Sequence, residues 1–194
     1  MSLSRLPVDV VYHLSHEYRQ QAYLHAHDVR DEHLLKQYYT LISMALKCLE
    51  YAKTQYALSM DQDYQITMEL VEILVKETHN LDLAEQYLSS LKERLKNHQV
   101  AASTENLFSQ RMHCEFLSLY EMPLRRDSKF HYKIASRNCN TLLQYFENVG
   151  AEYQAWRQVF EYINVCLNVQ LGKSSKARTD FLELANHNMP GQWG

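Results

Sequence analysis

Glycine and proline are scarce in this sequence, and their scarcity excludes most β-rich folds. The 194 residues contain 4 glycines and 3 prolines, and neither residue occurs between Pro7 and Pro123. An all-β chain needs turn residues at intervals of roughly 8–12 positions, so it cannot contain a stretch of this kind. Leucine, glutamate, glutamine, lysine and methionine are plentiful, and apolar residues recur at helical spacing. The sequence therefore predicts an all-α fold.

Paired cysteines, long apolar runs and a strong net charge are also missing. The four cysteines lie far apart without a CxxC pair, which is typical of buried thiols in an intracellular protein rather than of a disulfide framework. No apolar run approaches the ~20 residues that cross a bilayer, so we expect no membrane partner. The net charge of −3 argues against a surface that is basic throughout.

Catalytic and metal-binding motifs are absent too. The sequence contains no Gly-rich phosphate loop, GxSxG elbow, HExxH motif or pair of zinc ligands. His13, His16 and Glu17 share a helix face, and Glu69 with Glu72 form a carboxylate pair. Helices bring such groups together by chance, and no second ligand group or nucleophile accompanies them. We therefore predict no catalytic residue, no cofactor and no metal site, and expect that the chain is not an enzyme.

Amphipathic periodicity predicts eight helices joined by short loops. Their approximate bounds are 8–28, 32–56, 61–79, 81–98, 104–121, 128–149, 152–171 and 173–187. Ser59 with Gln62 resembles a capping box, and Gly150 and Gly172 suit the left-handed position just past a helix end. Because short connections make long neighbouring helices antiparallel, we predict one domain over residues 1–194, built of about four helix hairpins that resemble tetratricopeptide repeats.

Two of these helices are apolar over a wider arc than a hairpin needs. In the third helix only Glu69, Glu72 and Lys76 interrupt the apolar surface, and in the seventh helix apolar side chains cover more than half of the circumference. Such helices must be buried on several sides, either by neighbouring repeats or by a chain bound in a groove. The candidates for a partner groove are Tyr64, Met68, Tyr153, Trp156, Phe160 and Tyr162.

One stretch, MPLRRDSKFHYKIASRNCN, is strongly basic and contains a single acid, Asp127. Its five cations are Arg125, Arg126, Lys129, Lys133 and Arg137. If the sixth helix starts at Ser128, the last three form a continuous stripe opposite its apolar face. A lysine in the first turn, with two arginines just before it, opposes the helix dipole and costs ~0.3–1 kcal/mol where it is exposed. This basic stripe is either a solvated face or a contact for an anion, such as nucleic acid or an acidic partner.

Long segments of the chain resemble one protein family. The segments are VYHLSHEYRQQAY, LKQYYTLISMALKCLE, DLAEQYLSSLKERLKNHQ, RMHCEFLSLYEMPLRRDSKFHYKIASRNCNTLLQYF and YQAWRQVFEYINVCL. They resemble the smaller subunit of the budding-yeast type cohesin loader, a sister-chromatid cohesion protein built of tetratricopeptide-like repeats. The similarity runs from about Val11 to Leu182.

The resemblance implies a non-enzymatic scaffold that corresponds to the N-terminal part of a longer protein. Members of the family form a right-handed superhelix that wraps the extended N-terminal segment of the large loader subunit, and the heterodimer loads cohesin onto chromosomes. A nuclear, chromosome-associated location follows from that role. The alternative, a nucleic-acid-binding repeat protein acting through the basic stripe, has less support, since the resemblance favours an acidic protein partner over DNA.

Overall fold

The computed structural model describes residues 6–26, 30–98 and 104–188, and these residues form helices and turns without a β-strand. Most helices pack against the next helix along the chain as hairpins, so the all-α prediction and the antiparallel pairing are confirmed. The chain divides into two compact units, Met1–His98 and Gln99–Gly194, called the first and the second unit below. That both belong to one domain over residues 1–194 stays a prediction.

Four helices build the first unit: α1 (Val8–His25), α2 (Glu32–Gln55), α3 (Met60–Glu77) and α4 (Leu81–Asn97). The predicted end of the first helix, at residue 28, lies outside the described residues. The capping box before α3 is confirmed, because the Ser59 side chain accepts from the Gln62 backbone N–H while the Gln62 side chain accepts from the Ser59 N–H. Asp31 caps α2 by accepting from the backbone N–H groups of His33 and Leu34.

The centre of the first unit is α3, which is buried on several sides as its broad apolar arc predicts. Ile66, Leu70, Val71 and Ile73 are each at most 2% exposed. Helices α2 and α4 pack against α3. Several buried positions of α1 and α2 are small, among them Ser15, Ala22, Ala45 and Ala52, beside the larger Val11, Ile42 and Leu49. Small side chains let the two backbones approach closely, which gives this hairpin the most extensive helix contact in the chain.

The second unit begins with a helical rod that continues past the predicted end. It consists of α5 (Thr104–Phe116), a π-helical segment (Leu117–Glu121) and α6 (Met122–Arg126). The predicted end of this helix is residue 121, two positions before Pro123. In a regular α-helix the proline ring clashes with the carbonyl four residues earlier, and the wider π turn just before Pro123 provides room for the ring. The backbone N–H of Met122 donates five residues back, to the carbonyl of Leu117.

Three further helices complete the second unit: α7 (Lys129–Phe146), α8 (Gln154–Gln170), preceded by a 3₁₀ turn (Ala151–Tyr153), and α9 (Ser174–Asn188). Gly172 has φ +74°, as expected for a glycine just past a helix end. Gly150 has φ −62° instead, so its predicted left-handed conformation is wrong. Helix α7 ends at Phe146, and a turn through Glu147 separates its end from Gly150.

Aromatic side chains form the core of the second unit. Phe160 on α8 is fully buried and packs against Phe146 on α7, with ring centroids 6.0 Å apart. Phe108 on α5 contacts Phe146 edge to face at 6.1 Å. Met112, Cys139, Ile163 and Leu167 belong to the same cluster. Because a buried aromatic ring removes a large apolar area from water, this cluster holds α5, α7 and α8 together.

Candidate functional site

The six candidates for a partner groove are divided between the two units. Tyr64 and Met68 are half-buried, one turn apart on α3 of the first unit. The other four belong to the second unit, at the start of α8 or along it. There Tyr153 and Trp156 are half-buried, Tyr162 is 49% exposed and Phe160 is 0% exposed. Phe160 therefore presents no surface to a partner in this conformation, whereas Trp156 and Tyr162 do.

Trp156 connects the aromatic core to the surface. Its ring stacks on that of Phe160 with centroids 6.3 Å apart, and the ring of His113 on α5 meets it edge to face at 4.8 Å. The ring of Tyr153, one turn earlier, is tilted by 41° against that of Phe108, with the ring centroids 4.0 Å apart. The accessible part of the Trp156 indole thus stands on a rigid base, which is how aromatic anchors of protein interfaces are commonly supported.

A second exposed strip on α8 starts at Tyr162 and includes side chains that the sequence analysis did not select. Cys166 and Val169 follow at helical spacing, and Val169 is 54% exposed. The hydrogen bond between the Tyr162 hydroxyl and Cys166 raises the pKa of that phenol. Tyr162, Cys166 and Val169 have the i, i+4, i+7 spacing of one helix face. The buried side chains of α8 also recur at helical spacing, so the sequence does not show which of the two faces is exposed.

The first hairpin exposes apolar side chains that the sequence analysis also missed. Leu6, Val10 and Leu14 recur at intervals of four residues at the start of α1, and each is exposed. Met44 and Tyr51 are exposed on α2, which runs antiparallel to α1. Both helices of this hairpin therefore present apolar side chains to their surroundings.

The structure corrects the expected setting of the basic stripe. Arg125 and Arg126 do not lie in a loop before a helix but in the last turn of α6. There, cations interact favourably with the negative end of the helix dipole. The expectation that both arginines add to the repulsion at a helix start is therefore wrong. It failed because α6 lies beyond the predicted helix end at residue 121 and was not predicted from the sequence.

Asp127 separates the two helices and compensates the cations beside it. Its backbone adopts the left-handed conformation at φ 45°, which aspartate tolerates better than most residues. The buried hydroxyl of Tyr132 donates to its carboxylate at 2.8 Å. Burial and this hydrogen bond raise the pKa of Tyr132 to about 12. Lys129 is the first residue of α7, where a carboxylate two residues earlier and the Ser128 cap offset the cost of a cation.

The remaining cations of the basic stripe acquire a neighbour from another part of the chain. Lys133 and Arg137 are exposed on α7 and line an open groove of about 380 Å³. Lys173, from the turn between α8 and α9, lines the same groove. The other lining residues are Ser136, Asn140, Thr141, Gln144 and Leu171. We call this surface the basic groove.

The carboxylate pair of α3 has a structural role. Glu72 accepts a hydrogen bond from Lys76 at 2.6 Å and one from Arg19 of α1 at 3.3 Å. Burial opposes ionisation of Glu72, but these two cations lower its pKa overall. Glu69 is buried and accepts from the Tyr12 hydroxyl, and burial together with that carboxylate raises the pKa of Tyr12 to about 12. The apparent polar strip of α3 is thus a contact between α1 and α3.

Neither a metal cluster nor a membrane span is found in the described parts of the chain. His16 of the suspected histidine face lies 3.6 Å from the Glu69 carboxylate, as a helix contact. Across residues 6–26, 30–98 and 104–188, no three histidine, cysteine, aspartate or glutamate side chains are grouped to hold a metal ion. In the same residues no helix has both the length and the hydropathy to cross a membrane.

Comparison with known proteins identifies close relatives of the chain. The sequence model of the family described as cohesin loading factor matches residues 8–188. The MAU2 chromatid cohesion factor homolog of Saccharomyces cerevisiae is 48% identical over 178 residues, which cover 91% of this chain and 28% of that protein. A crystal structure of Scc4 in complex with Scc2n is 45% identical with a TM-score of 0.89, and the match covers 96% of this chain and 31% of Scc4. A complex of Scc4 with Scc2n and Ctf19n matches equally well, with a TM-score of 0.89.

Proposed function

The chain belongs to the cohesin loading factor family, and we propose that it acts as a scaffold of the cohesin loader, which binds the extended N-terminal segment of the large loader subunit. The observation that carries this proposal is the match to Scc4, a protein whose structure was determined in complex with Scc2n. The sequence identity is 45% and the TM-score is 0.89, so the two proteins share their fold over this part of the chain. Because the chain spans 28% of the yeast relative, the partner and the role of the whole protein remain part of the proposal.

In this function the chain contributes a binding surface rather than chemistry. The Glu72 carboxylate pairs with Arg19 and Lys76, and the Glu69 carboxylate accepts from Tyr12, so both carboxylates have a role in the fold. We therefore propose a non-enzymatic role in a nuclear, chromosome-associated complex. Cohesin and chromatin would be contacted through the partner subunit.

The exposed aromatic side chains of the second unit are the proposed contact points for the partner segment. Trp156 combines an accessible edge with a rigid base formed by Phe160 and His113. Tyr162 offers a half-exposed ring beside Val169. Large rings of this kind contribute most of the binding free energy in many interfaces.

The nucleic-acid alternative loses one of its arguments in the structure. The position of Arg125 and Arg126 is explained by the end of α6, so no binding partner is needed to account for it. The net charge of −3 provides no general attraction to DNA.

Copurification tests the proposal. The chain is coexpressed with the N-terminal segment of the large loader subunit, and the amount of segment retained on the purified chain is measured. We expect retention by the unmodified chain, and a loss of about tenfold in affinity for Trp156→Ala, which corresponds to the 1–2 kcal/mol typical of an interface anchor. We expect a smaller loss for Tyr162→Ala.

Tyr145→Ala is the matched control, since Tyr145 is an exposed tyrosine of the same unit, 47% accessible against 49% for Tyr162. Its affinity should equal that of the unmodified chain. Circular dichroism and thermal unfolding show whether each variant is folded. A folded, unmodified chain that retains no segment would contradict the proposed function. Unchanged binding by folded Trp156→Ala and Tyr162→Ala variants would contradict the proposed contact points alone.

A further inference from the structure

The basic groove joins cations that are remote in the sequence. Lys133 and Arg137 are one turn apart on α7, and Lys173 lies beside them in the groove although it belongs to the turn after α8. No carboxylate lines the groove. Like charges repel when they approach each other, so a folded chain without a partner gains nothing from bringing three cations to one groove.

The position of Lys173 is fixed by the backbone. Gly172 adopts φ +74°, and its N–H donates to the carbonyl of Val169 at 2.9 Å. The N–H of Lys173 donates to the carbonyl of Asn168, also at 2.9 Å. These two bonds form a Schellman motif, which holds the residue after the glycine in a defined place. Helix α9 starts directly after Lys173, and the positive end of its dipole adds to the field of the lysine.

Structural cations elsewhere in the chain have carboxylate partners, and those of the groove do not. Lys53 pairs with Asp63 at 2.7 Å, Arg94 with Asp63 at 2.9 Å, and Arg157 with Glu161 at 2.9 Å. Among the residues that the structure describes, no carboxylate lies within ion-pair distance of Lys133, Arg137 or Lys173. These three cations therefore keep their full capacity to bind an anion from outside.

We propose that the basic groove binds a short acidic segment of a protein partner, as a site separate from the aromatic contact points of the proposed function. The separation between Lys133 and Arg137 along α7 is about 6 Å, at 1.5 Å per residue. Carboxylates on alternate residues of an extended peptide are separated by nearly the same distance, about 6.6 Å. Lys173 supplies the third charge from the other wall of the groove.

The neutral side chains of the groove favour a polypeptide over nucleic acid. Asn140, Thr141 and Gln144 line the groove beside the cations. The Thr141 hydroxyl donates to the Arg137 carbonyl, and the Asn140 Oδ1 accepts from Asn164. The Asn140 Nδ2 can still donate to the backbone of a peptide, the Thr141 hydroxyl oxygen can accept from it, and the Gln144 amide can do both. Duplex DNA is bound through many phosphates over a long basic surface. The groove offers three cations on a chain whose net charge is −3.

The proposal is tested by fluorescence anisotropy with the purified 194-residue chain. The probes are a labelled glutamate-rich peptide, the same peptide with glutamine in place of glutamate, and a labelled DNA duplex. We expect the glutamate peptide to bind, the glutamine peptide to bind at least tenfold more weakly, and the affinity for the glutamate peptide to fall between about 50 and 200 mM salt, as expected for ionic contacts.

Charge-reversal variants locate the binding. Lys133→Glu/Arg137→Glu/Lys173→Glu should reduce affinity for the glutamate peptide by about a hundredfold, since each lost ionic contact costs on the order of 1 kcal/mol or more. The matched control is Lys36→Glu/Lys47→Glu/Arg178→Glu, which changes the net charge equally at exposed positions outside the groove. We expect less than about a threefold reduction for the control, from the long-range field alone.

Single substitutions distinguish the groove from the stripe along α7. Lys173→Glu should weaken peptide binding about as much as Lys133→Glu does. Lys129→Glu should weaken it less, because Lys129 belongs to the stripe but does not line the groove. Three results would overturn the proposal: no binding of the glutamate peptide at about 50 mM salt, equal losses in the groove variant and its control, or tighter binding of the DNA duplex than of the peptide. Because retention of the large-subunit segment is measured separately, either proposal can fail without the other.

Discussion

The two units of the chain are stabilised by different kinds of contact. In the first unit, charged side chains bridge helices: Arg19 of α1 contacts Glu72 of α3, and Asp63 of α3 contacts both Lys53 of α2 and Arg94 of α4. In the second unit, aromatic rings fill the space between helices, and the cations of α7 are exposed. Among the described residues, the cations Arg19, Lys53 and Arg94 of the first unit thus bridge helices, whereas Lys133 and Arg137 of α7 form no ion pair.

The largest expected effect concerns the aromatic core of the second unit. Phe160→Ala removes a fully buried ring and should lower the free energy of unfolding by about 3–5 kcal/mol, because a cavity replaces the lost contacts. Urea denaturation followed by circular dichroism measures the change. Tyr145→Ala, at an exposed ring of α7, should cost less than about 1 kcal/mol. Equal losses in the two variants would mean that the second unit does not depend on this ring.

A smaller loss is expected from the buried ion pair of the first unit. Asp63→Asn leaves the ammonium of Lys53 without its carboxylate, in a place where 11% of the lysine side chain is exposed. The free energy of unfolding should fall by about 3 kcal/mol, since an unpaired buried charge is strongly unfavourable. Glu93→Gln, at an exposed position of α4, is the control and should change the stability by less than about 0.5 kcal/mol. If Asp63→Asn is as mild as its control, the contrast between the two units does not hold.

The smallest effects, of opposite sign, are expected at the junction between α6 and α7. Arg125→Glu places an acid in the last turn of α6 and should destabilise the chain by ~0.3–1 kcal/mol, whereas Lys129→Glu places one at the first residue of α7 and should stabilise it by a similar amount. Thermal unfolding of both variants measures the two signs. If both substitutions shift the midpoint temperature of unfolding in the same direction, helix dipoles do not determine the effect of charge on stability at this junction.

Periodicity predicted most helices because their apolar residues repeat regularly, and it failed where the backbone departs from that repeat. Proline normally interrupts a helix, yet the π segment before Pro123 allows the rod to continue to Arg126. A π turn spans so few residues that it hardly changes the spacing of apolar residues along the helix. Gly150 shows a different error. It was expected to adopt the left-handed conformation that ends a helix, but a glycine near a helix end is not always the residue that ends it.

Surfaces were harder to predict than helices. Lys133 and Arg137 were identified from one helix, but the groove depends on Lys173, which only the packing of α7 beside the α8–α9 turn brings close. Similarly, the contacts of Glu69 and Glu72 were not predicted, because the sequence does not show that Tyr12 and Arg19 of α1 lie against them. Phe160 was a candidate for the partner groove, because a broad apolar arc does not distinguish a ring in the core from a ring that faces a partner.

The π segment from Leu117 to Glu121 acts as an angular spacer. A π turn accommodates one residue more than an α turn, and one residue corresponds to about 100° of rotation around an α-helix. The inserted residue therefore sets the direction in which every later side chain of the rod points. It turns Met122 and Pro123 towards the interior and Arg125 towards solvent. Deleting one residue of this segment would keep the composition of the rod almost unchanged, but it would rotate the side chains of α6 by about 100° relative to the core.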